Sequence, residues 1–169
     1  IYRPVWFVFD CRFTLTAPES GREHYLHDHV EGARYAHLDN DLSSPITLST
    51  GRHPLPDKDK FVQWLSDNGV KNNSQVVVYD ESFGAVAGRL WWLLKWAGHD
   101  AVALLDGCYP KWRREGNTTS HELPEVVVSD FQAIFRDDMI VNANDLLKSI
   151  KAEQNIVLID SSAKERLCG

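Results

Sequence analysis

The chain of 169 residues is slightly longer than an average domain, and 43% of its residues are hydrophobic. Such a chain can bury a core without disulfide bonds, which excludes a disordered protein and a small cystine-rich scaffold. The formal net charge of −6 argues against binding driven by a nucleic-acid backbone. The most apolar stretch, 90–105, is interrupted by charged residues and is too short to span a membrane, so a soluble protein is expected. The three cysteines are widely spaced, which predicts no disulfide framework and favours a reducing, cytoplasmic location.

Four short runs rich in valine, isoleucine and phenylalanine each end in an aspartate. They span 6–10, 76–80, 102–106 and 156–160, and they end at Asp10, Asp80, Asp106 and Asp160. Uninterrupted apolar runs of this length are typical of buried parallel strands. Ligands of such sheets bind at the carboxyl ends of the strands, so the loop after Asp80 is the expected functional site.

Amphipathic segments lie between these runs. Pro56-Asp57 predicts the start of a helix that ends at Asn68-Gly69, and a second helix is predicted over 85–98. Strands that alternate with helices of this length predict an α/β fold, with an open, mainly parallel sheet flanked by helices.

The pattern changes after residue 121. Residues 125–135 alternate apolar and polar side chains without a helical period, which is typical of an extended interdomain linker. Asn142 is a good N-cap for a helix over 143–151 that leads into the apolar run at 156–160.

The two ends of the chain resemble each other, since Val8-Phe9-Asp10 matches Leu158-Ile159-Asp160. The similarity suggests a duplicated domain. Because the chain begins without methionine and stops soon after a strand-like run, the natural protein is expected to be longer. The predicted organisation is a first domain at 1–121, a linker at 122–140 and the truncated start of a second domain at 141–169.

The order of several motifs is more specific than any one of them. In chain order they are Asp10-Cys11-Arg12-Phe13, residues 28–33, His53-Pro54-Leu55-Pro56, residues 76–80, residues 88–94, Gly98-His99, and residues 105–108 with Trp112. This order resembles the N-terminal half of a tandem rhodanese-type sulfurtransferase, the group that includes thiosulfate and 3-mercaptopyruvate sulfurtransferases. The resemblance implies a rhodanese-like fold over residues 5 to about 115 and continues into the start of a second rhodanese-like domain.

The loop at Asp80 departs from a catalytic rhodanese domain. In such domains a cysteine follows the central strand, and backbone N–H groups of the next loop hold its thiolate and then its persulfide. Asp80 stands at that position, and a carboxylate cannot carry a sulfane sulfur and would itself occupy the amides. Glu81 adds a second negative charge that would repel thiosulfate. The resemblance implies that this chain holds no catalytic residue, is inactive alone and relies on a cysteine in the second domain, whereas the alternative role for Asp80 is a simple helix N-cap.

The resemblance also implies two substrate-binding residues, His53 and Arg166. His53 begins a sequence similar to a motif of mercaptopyruvate sulfurtransferases whose histidine lies near the cleft between the domains. Arg166 matches a second-domain arginine that is similar to a ligand of the substrate anion, and a guanidinium can donate two parallel hydrogen bonds to a carboxylate or sulfonate. The alternatives are an exposed loop histidine and a solvated arginine in the charged run 164–166.

Other reactive side chains are expected to be structural. Cys11 and Cys108 are expected to be small, buried or half-buried apolar residues. Neither is expected to be a nucleophile, because neither precedes a predicted helix N-terminus. Cys108 also stands where the family usually has a second glycine, so a left-handed backbone there would be strained. Arg89 is expected to pair with a strand-end aspartate, Asp10 or Asp106.

A cluster of three histidines suggests a metal site. The three are His24, His27 and His29. No cysteine or second cluster completes a tetrahedral site, and His29 already belongs to the family motif. We therefore expect neither a metal nor a cofactor.

The sequence predicts part of a sulfurtransferase that moves sulfane sulfur from thiosulfate or 3-mercaptopyruvate to cyanide or a thiol. The expected partners are a small anionic sulfur donor, a thiol or cyanide acceptor and, within the same molecule, the second rhodanese domain; nucleic acid and membranes are not expected. The alternative is a non-enzymatic rhodanese-like binding or regulatory module. A cysteine loop beyond residue 169 would distinguish the two. A phosphatase on a related fold is excluded, because its central loop needs a cysteine where Asp80 stands.

Overall fold

The computed structural model describes residues 6–152 and 156–159. The chain divides into two compact units, Ile1–Arg136 and Asp137–Gly169. The first unit holds the described strands and four α-helices, and the second holds a 3-10 turn at Asp137–Met139 and one α-helix. The boundaries predicted for a domain, a linker and a second domain remain a proposal.

An open parallel sheet forms the centre of the first unit. The strands are β1 (Trp6–Asp10), β2 (His29–Val30), β3 (Arg34–Tyr35), β4 (Gln75–Tyr79), β5 (Val102–Leu104) and β6 (Thr119–Ser120). The sheet has the order β3-β1-β4-β5 with parallel pairing throughout, and Val8 lies opposite Val77. β2 and β6 form a separate antiparallel pair. The predicted α/β fold with a mainly parallel sheet is confirmed.

Helices follow most of the strands. They are α1 (Ser20–His27), α2 (Lys58–Asp67), α3 (Ala87–Trp96), α4 (Cys108–Arg114) and α5 (Ala143–Lys151). The three predicted helices are confirmed as α2, α3 and α5. The side chains of Asp57 and Asn142 each accept a hydrogen bond of 3.0 Å from a first-turn N–H group, so both predicted N-caps are formed. α1 and α4 were not predicted.

Apolar strand residues and the inner faces of α2 and α3 form the core. Phe9, Val76 and Val78 are fully buried, as expected for strands that helices cover. The Trp64 ring of α2 lies 5.3 Å from the Phe9 ring, measured between centroids. α3 contributes three fully buried leucines, Leu90, Leu93 and Leu94.

A buried ion pair lies at the end of β1, and a tyrosine of β4 is hydrogen-bonded to it. The Arg12 guanidinium lies 2.7 Å from the Asp10 carboxylate, and both side chains are almost completely buried. The Tyr79 hydroxyl donates a hydrogen bond of 2.8 Å to the same carboxylate. Arg12 and Tyr79 together satisfy Asp10, and the hydrogen bond from Tyr79 links the ends of the two inner strands.

Arg89 does not pair with a strand-end aspartate, and that expectation was wrong. Its guanidinium donates hydrogen bonds to the carbonyl oxygens of Leu42, His53 and Pro54 at 2.9–3.2 Å. Asp10 is already satisfied by Arg12, so Arg89 instead ties α3 to the backbone of the loop that leads into α2.

The first part of the predicted linker packs on the first unit. Phe131 is only 1% exposed, and the backbone N–H of Ser129 donates to the Ser66 carbonyl at 2.9 Å. The backbone N–H of Ile134 donates to the Ala97 carbonyl at 3.0 Å. Residues 122–136 therefore form an extended strap that belongs to the first unit and contains no helix.

The expected strand at 156–160 is not formed in its described part, so that prediction was wrong. Residues 156–159 lie in no strand, and the Val157 and Ile159 side chains are 83% and 86% exposed. A strand requires a hydrogen-bonded neighbour, and the ladders of the two described sheets do not include this run. Asp160 lies outside the described residues. Within the described ranges, no helix is long and apolar enough to cross a membrane.

Candidate functional site

The Asp80 carboxylate lies at the centre of a ring of backbone N–H groups. The N–H groups of Ser82 and Gly84 donate to Oδ1 at 2.7 and 2.9 Å. Those of Val86 and Ala87 donate to Oδ2 at 2.8 and 2.9 Å. The predicted occupation of the loop amides by the carboxylate is confirmed, and the Asp80 residue is only 1% exposed.

The backbone of the loop explains why these N–H groups converge. Phe83 and Gly84 both have left-handed φ angles, of 57° and 91°, which turn successive amides toward the inside of the loop. Gly84 cannot be replaced without strain, because side chains with a Cβ atom rarely adopt its φ of 91°. α3 begins at Ala87, so two of the four donors are N–H groups at a helix N-terminus that have no acceptor within the helix.

The amide ring also decides the charge of Asp80. Burial alone would raise the pKa of the carboxyl, but the four N–H donors outweigh burial and hold the pKa below its ordinary value. Asp80 is therefore an anion at neutral pH, and its negative charge fills the place that a thiolate or a substrate anion would take.

An open cleft of about 530 Å³ lies beside this loop, and we call it the loop cleft. It is lined by residues 13–16, Leu38, His53 and four residues of the 81–86 segment. Glu81 is the carboxylate on its wall, and the nearest histidine nitrogen, His24 Nδ1, lies 3.7 Å from Glu81 Oε1. That separation is too long for a hydrogen bond, so the Glu81 carboxylate keeps acceptor capacity toward the cleft.

His53 lines the loop cleft and a neighbouring open cleft of about 760 Å³. Its Nε2 atom lies 3.0 Å from Asp39 Oδ1, and its ring meets the edge of Phe13. The residue has a left-handed φ of 54°, and its carbonyl oxygen accepts a hydrogen bond of 3.0 Å from Arg89. These contacts orient a half-buried imidazole rather than a freely exposed one.

The pairing of His53 with Asp39 was not predicted. The two residues are brought together by irregular backbone between β3 and α2, which has no periodicity in sequence. Arg166, the other expected substrate-binding residue, lies outside the described residues.

The two described cysteines are buried, as predicted, but the predicted position of Cys108 relative to a helix was wrong. Cys108 is the first residue of α4, although it was expected to stand apart from any helix start. Its backbone is left-handed, with φ 52°. Burial raises the pKa of the Cys108 thiol and raises that of Cys11 well above its ordinary value, and the nearby Asp10 and Asp80 carboxylates raise the Cys11 pKa further.

Neither Cys11 nor Cys108 should react with iodoacetamide in the folded protein. The thiolate is the reactive form, and burial makes both the thiolate and access to it rare. Peptide mapping by mass spectrometry after a short exposure should show both thiols unmodified in buffer and both alkylated in urea. Rapid alkylation of Cys108 in buffer would contradict the buried assignment.

The histidine pattern at 24–29 does not converge on one point. His29 is fully buried, with Nδ1 2.6 Å from the Tyr25 carbonyl oxygen and Nε2 3.1 Å from that of Glu122. Both ring nitrogens are therefore engaged with backbone carbonyls. Among the residues that the structure describes, no three histidine, cysteine or carboxylate side chains are grouped so as to hold a metal ion.

Together, the fold and the loop define an α/β domain with an anion-holding ring of amides after an inner parallel strand. The chain belongs to the rhodanese-like domain family, which matches residues 2–115.

Individual relatives match nearly the whole chain and not only residues 2–115. A probable 3-mercaptopyruvate sulfurtransferase of Pseudomonas aeruginosa is 38% identical over 168 residues, covering 98% of this chain and 59% of that protein. The thiosulfate sulfurtransferase of Bos taurus is 27% identical over 166 residues, covering 96% of this chain and 54% of that protein. The crystal structure of SseA from Escherichia coli, a 3-mercaptopyruvate sulfotransferase, has a TM-score of 0.82 at 25% identity, covering 96% of this chain and 61% of that one. The chain thus spans somewhat more than half of the length of these relatives.

Proposed function

We propose that this chain is the non-catalytic N-terminal part of a two-domain sulfurtransferase. The complete protein moves sulfane sulfur from thiosulfate or 3-mercaptopyruvate to cyanide or a thiol, in a reducing compartment such as the cytoplasm. Its nucleophilic cysteine belongs to a second rhodanese-like domain that begins near residue 141 and continues beyond residue 169. The first domain, at 1–121, shapes one wall of the substrate cleft, and residues 122–140 connect the two domains.

The occupied amide ring at Asp80 carries this proposal. A rhodanese-like loop serves sulfur transfer by holding a thiolate and then a persulfide with its N–H groups. Here the four N–H groups are used by a carboxylate of the chain itself. A carboxylate cannot exchange sulfur, so the loop has kept its structure while its chemistry has moved elsewhere.

The relatives support the remainder of the proposal. Proteins that match this chain from end to end are named as 3-mercaptopyruvate or thiosulfate sulfurtransferases, and each is much longer than the chain. The match also continues past residue 115, where the rhodanese-like family match ends. A second domain that carries the cysteine would account most simply for the additional length of these relatives.

Two residues of this chain are proposed to meet the substrate. His53 stands at the junction of both clefts with Asp39 beside its Nε2 atom, so the other ring nitrogen, Nδ1, can donate a hydrogen bond to a donor anion when the ring is protonated. Arg166, near the start of the proposed second domain, supplies a positive charge that the described lining of the loop cleft lacks.

The 169-residue chain alone should show no sulfurtransferase activity, whereas the complete protein should. The measurement is cyanide-dependent thiocyanate formation, with thiosulfate and then 3-mercaptopyruvate as donor. A Cys108→Ser variant of the short chain is the matched control. Turnover by that variant above the buffer rate would contradict the assignment of Asp80 as an inactive replacement for the catalytic cysteine.

The same assay distinguishes the proposed sulfurtransferase from the alternative, a non-enzymatic rhodanese-like module. If the complete protein also fails to turn over both donors, and lacks a cysteine loop after residue 169, the chain is part of a non-enzymatic binding or regulatory module. Turnover by the complete protein excludes that role as its sole function.

A further inference from the structure

The open cleft of about 760 Å³ next to His53 is formed by the first unit, and we call it the helix cleft. Residues of the loop 39–57 and of α2 line it together with Phe13 and Leu15. Of its described lining residues, only Phe13, Leu15 and His53 also line the loop cleft. Its volume lies within the usual range of small-molecule sites, so it is large enough for a ligand that does not enter the loop cleft.

The buried part of this lining is mainly apolar and aromatic. Phe13 and Phe61 are 6% and 1% exposed, and Pro56 is also buried. The half-buried Trp64 ring lies nearly parallel to the Phe61 ring, with 12° between the planes and 5.9 Å between the centroids. Because aromatic side chains pack well against a flat ring, the apolar part of a ligand is expected to be aromatic.

A buried hydroxyl in this lining lacks a partner among the described residues. Ser43 is 9% exposed, and its hydroxyl oxygen is shielded from water and forms no hydrogen bond there. Buried polar atoms in folded proteins nearly always have a hydrogen-bond partner, because an unsatisfied one costs free energy. An acceptor atom of a ligand in the helix cleft would supply that partner.

The charged groups of the lining indicate the charge of the ligand. Arg52 and Lys60 are exposed, and within the described ranges neither the guanidinium nor the ammonium group has a hydrogen bond or an ion pair. The carboxylates in the lining, in contrast, already pair with groups of the chain: Asp39 with His53, Asp41 with the His37 N–H, Asp57 with the Lys60 N–H and Asp67 with the Gln63 amide. The charges that remain available are therefore positive, which favours an anionic ligand.

We propose that the helix cleft binds a small aromatic carboxylate. The ring lies against Phe61 and Trp64. The carboxylate is held by Arg52 and Lys60 and accepts a hydrogen bond from the Ser43 hydroxyl. This site does not depend on the proposed sulfur transfer, since it needs neither the Asp80 loop nor a catalytic cysteine.

Two probes of similar shape and opposite charge test the ligand class with the complete protein: 2-naphthoate and 2-naphthylmethylammonium. Near pH 7 the first is an anion and the second is a cation, and isothermal titration calorimetry measures a Kd for each. 2-Naphthoate should bind at least about 10-fold more tightly, because its charge meets the available cations. Equal affinities, tighter binding of the cation, or no binding of 2-naphthoate would overturn the proposal.

Substitutions in the lining test where the anion binds. The double variant Arg52→Gln/Lys60→Gln should weaken 2-naphthoate binding by about 3- to 10-fold. Ser43→Ala should weaken it by about 10-fold, through the loss of a hydrogen bond to a charged group. Ser43→Ala should not lower the stability of the free protein, because the described structure shows no hydrogen bond of this hydroxyl that could be lost. Urea denaturation monitored by tryptophan fluorescence checks that each variant is folded.

The double variant Lys71→Gln/Arg114→Gln is the matched control, since both residues are exposed cations that line neither cleft. It should leave the Kd of 2-naphthoate unchanged, and so should Arg166→Ala, because Arg166 is proposed to bind the sulfur donor. An equal loss of affinity in either of these variants, or an unchanged Kd in the lining variants, would overturn the site. Such a result would leave the sulfurtransferase assignment standing, because that assignment is tested by turnover and persulfide formation.

Discussion

Replacing Asp80 with asparagine should lower the free energy of unfolding by about 2–4 kcal/mol, since hydrogen bonds to charged groups contribute more than neutral ones and a buried donor without an acceptor is costly. The carboxylate accepts four backbone hydrogen bonds. An asparagine side chain keeps one acceptor oxygen. Its NH₂ group takes the place of the second oxygen and faces backbone N–H groups, which then have no acceptor. Urea denaturation at neutral pH, monitored by tryptophan fluorescence, measures the loss.

The pH dependence of this loss provides an internal check. The pKa of Asp80 is lower in the folded chain than in the unfolded one, so its contribution is complete above the unfolded value of about 4 and disappears as pH falls toward the folded value. Wild type and Asp80→Asn should thus converge in stability in acid. Asp106→Asn, at an exposed aspartate that pairs with Lys111, is the control and should change stability much less. An equal loss in both variants would contradict the central role of the amide ring.

Arg166→Ala should lower kcat/KM of the complete protein by about 30- to 150-fold for both donors, which corresponds to the roughly 2–3 kcal/mol of a charge-assisted bidentate contact. Thiosulfate and 3-mercaptopyruvate are anions that must approach a thiolate, so a cation has to hold them. The described lining of the loop cleft has no lysine or arginine for that purpose. Steady-state kinetics with each donor measures the effect.

Two further variants show whether the guanidinium itself is required. Arg166→Lys keeps the charge and loses the planar fork, so its activity should fall between wild type and Arg166→Ala. Lys164→Ala removes a neighbouring positive charge from the same run and should have little effect. If a folded Arg166→Ala enzyme matched wild type with both donors, Arg166 would be a solvated surface residue.

The elements that were predicted correctly from sequence are those in which a hydrophobic pattern coincides with a residue that marks the end of a strand or the start of a helix. The apolar runs predicted at 6–10 and 76–80 lie in the inner strands β1 and β4, except that β4 ends at Tyr79, and Asp57 and Asn142 begin helices as caps. α1 was missed because it is mostly polar and buries only Gly21 and Tyr25. α4 was missed because it is short, rich in basic residues and includes Pro110.

The candidate site was predicted less completely than the fold. The family motif located Asp80, but the convergence of four N–H groups depends on left-handed backbone at Phe83, a residue type that gives no such signal. Arg89 was assigned a carboxylate partner and instead binds carbonyl groups. Every residue has a carbonyl, so sequence cannot identify such an acceptor. The contact of His53 with Asp39 likewise depends on the path of an irregular loop.

Locating the persulfide in the complete protein tests the account most directly. The protein is incubated with 3-mercaptopyruvate or thiosulfate without an acceptor, alkylated and mapped by mass spectrometry for an added sulfur atom. We expect the sulfur on a single cysteine located after residue 169, and none on Cys11 or Cys108. A persulfide on either of those two cysteines, or the absence of one anywhere in the protein, would contradict the proposal that this chain is the silent part of a sulfurtransferase.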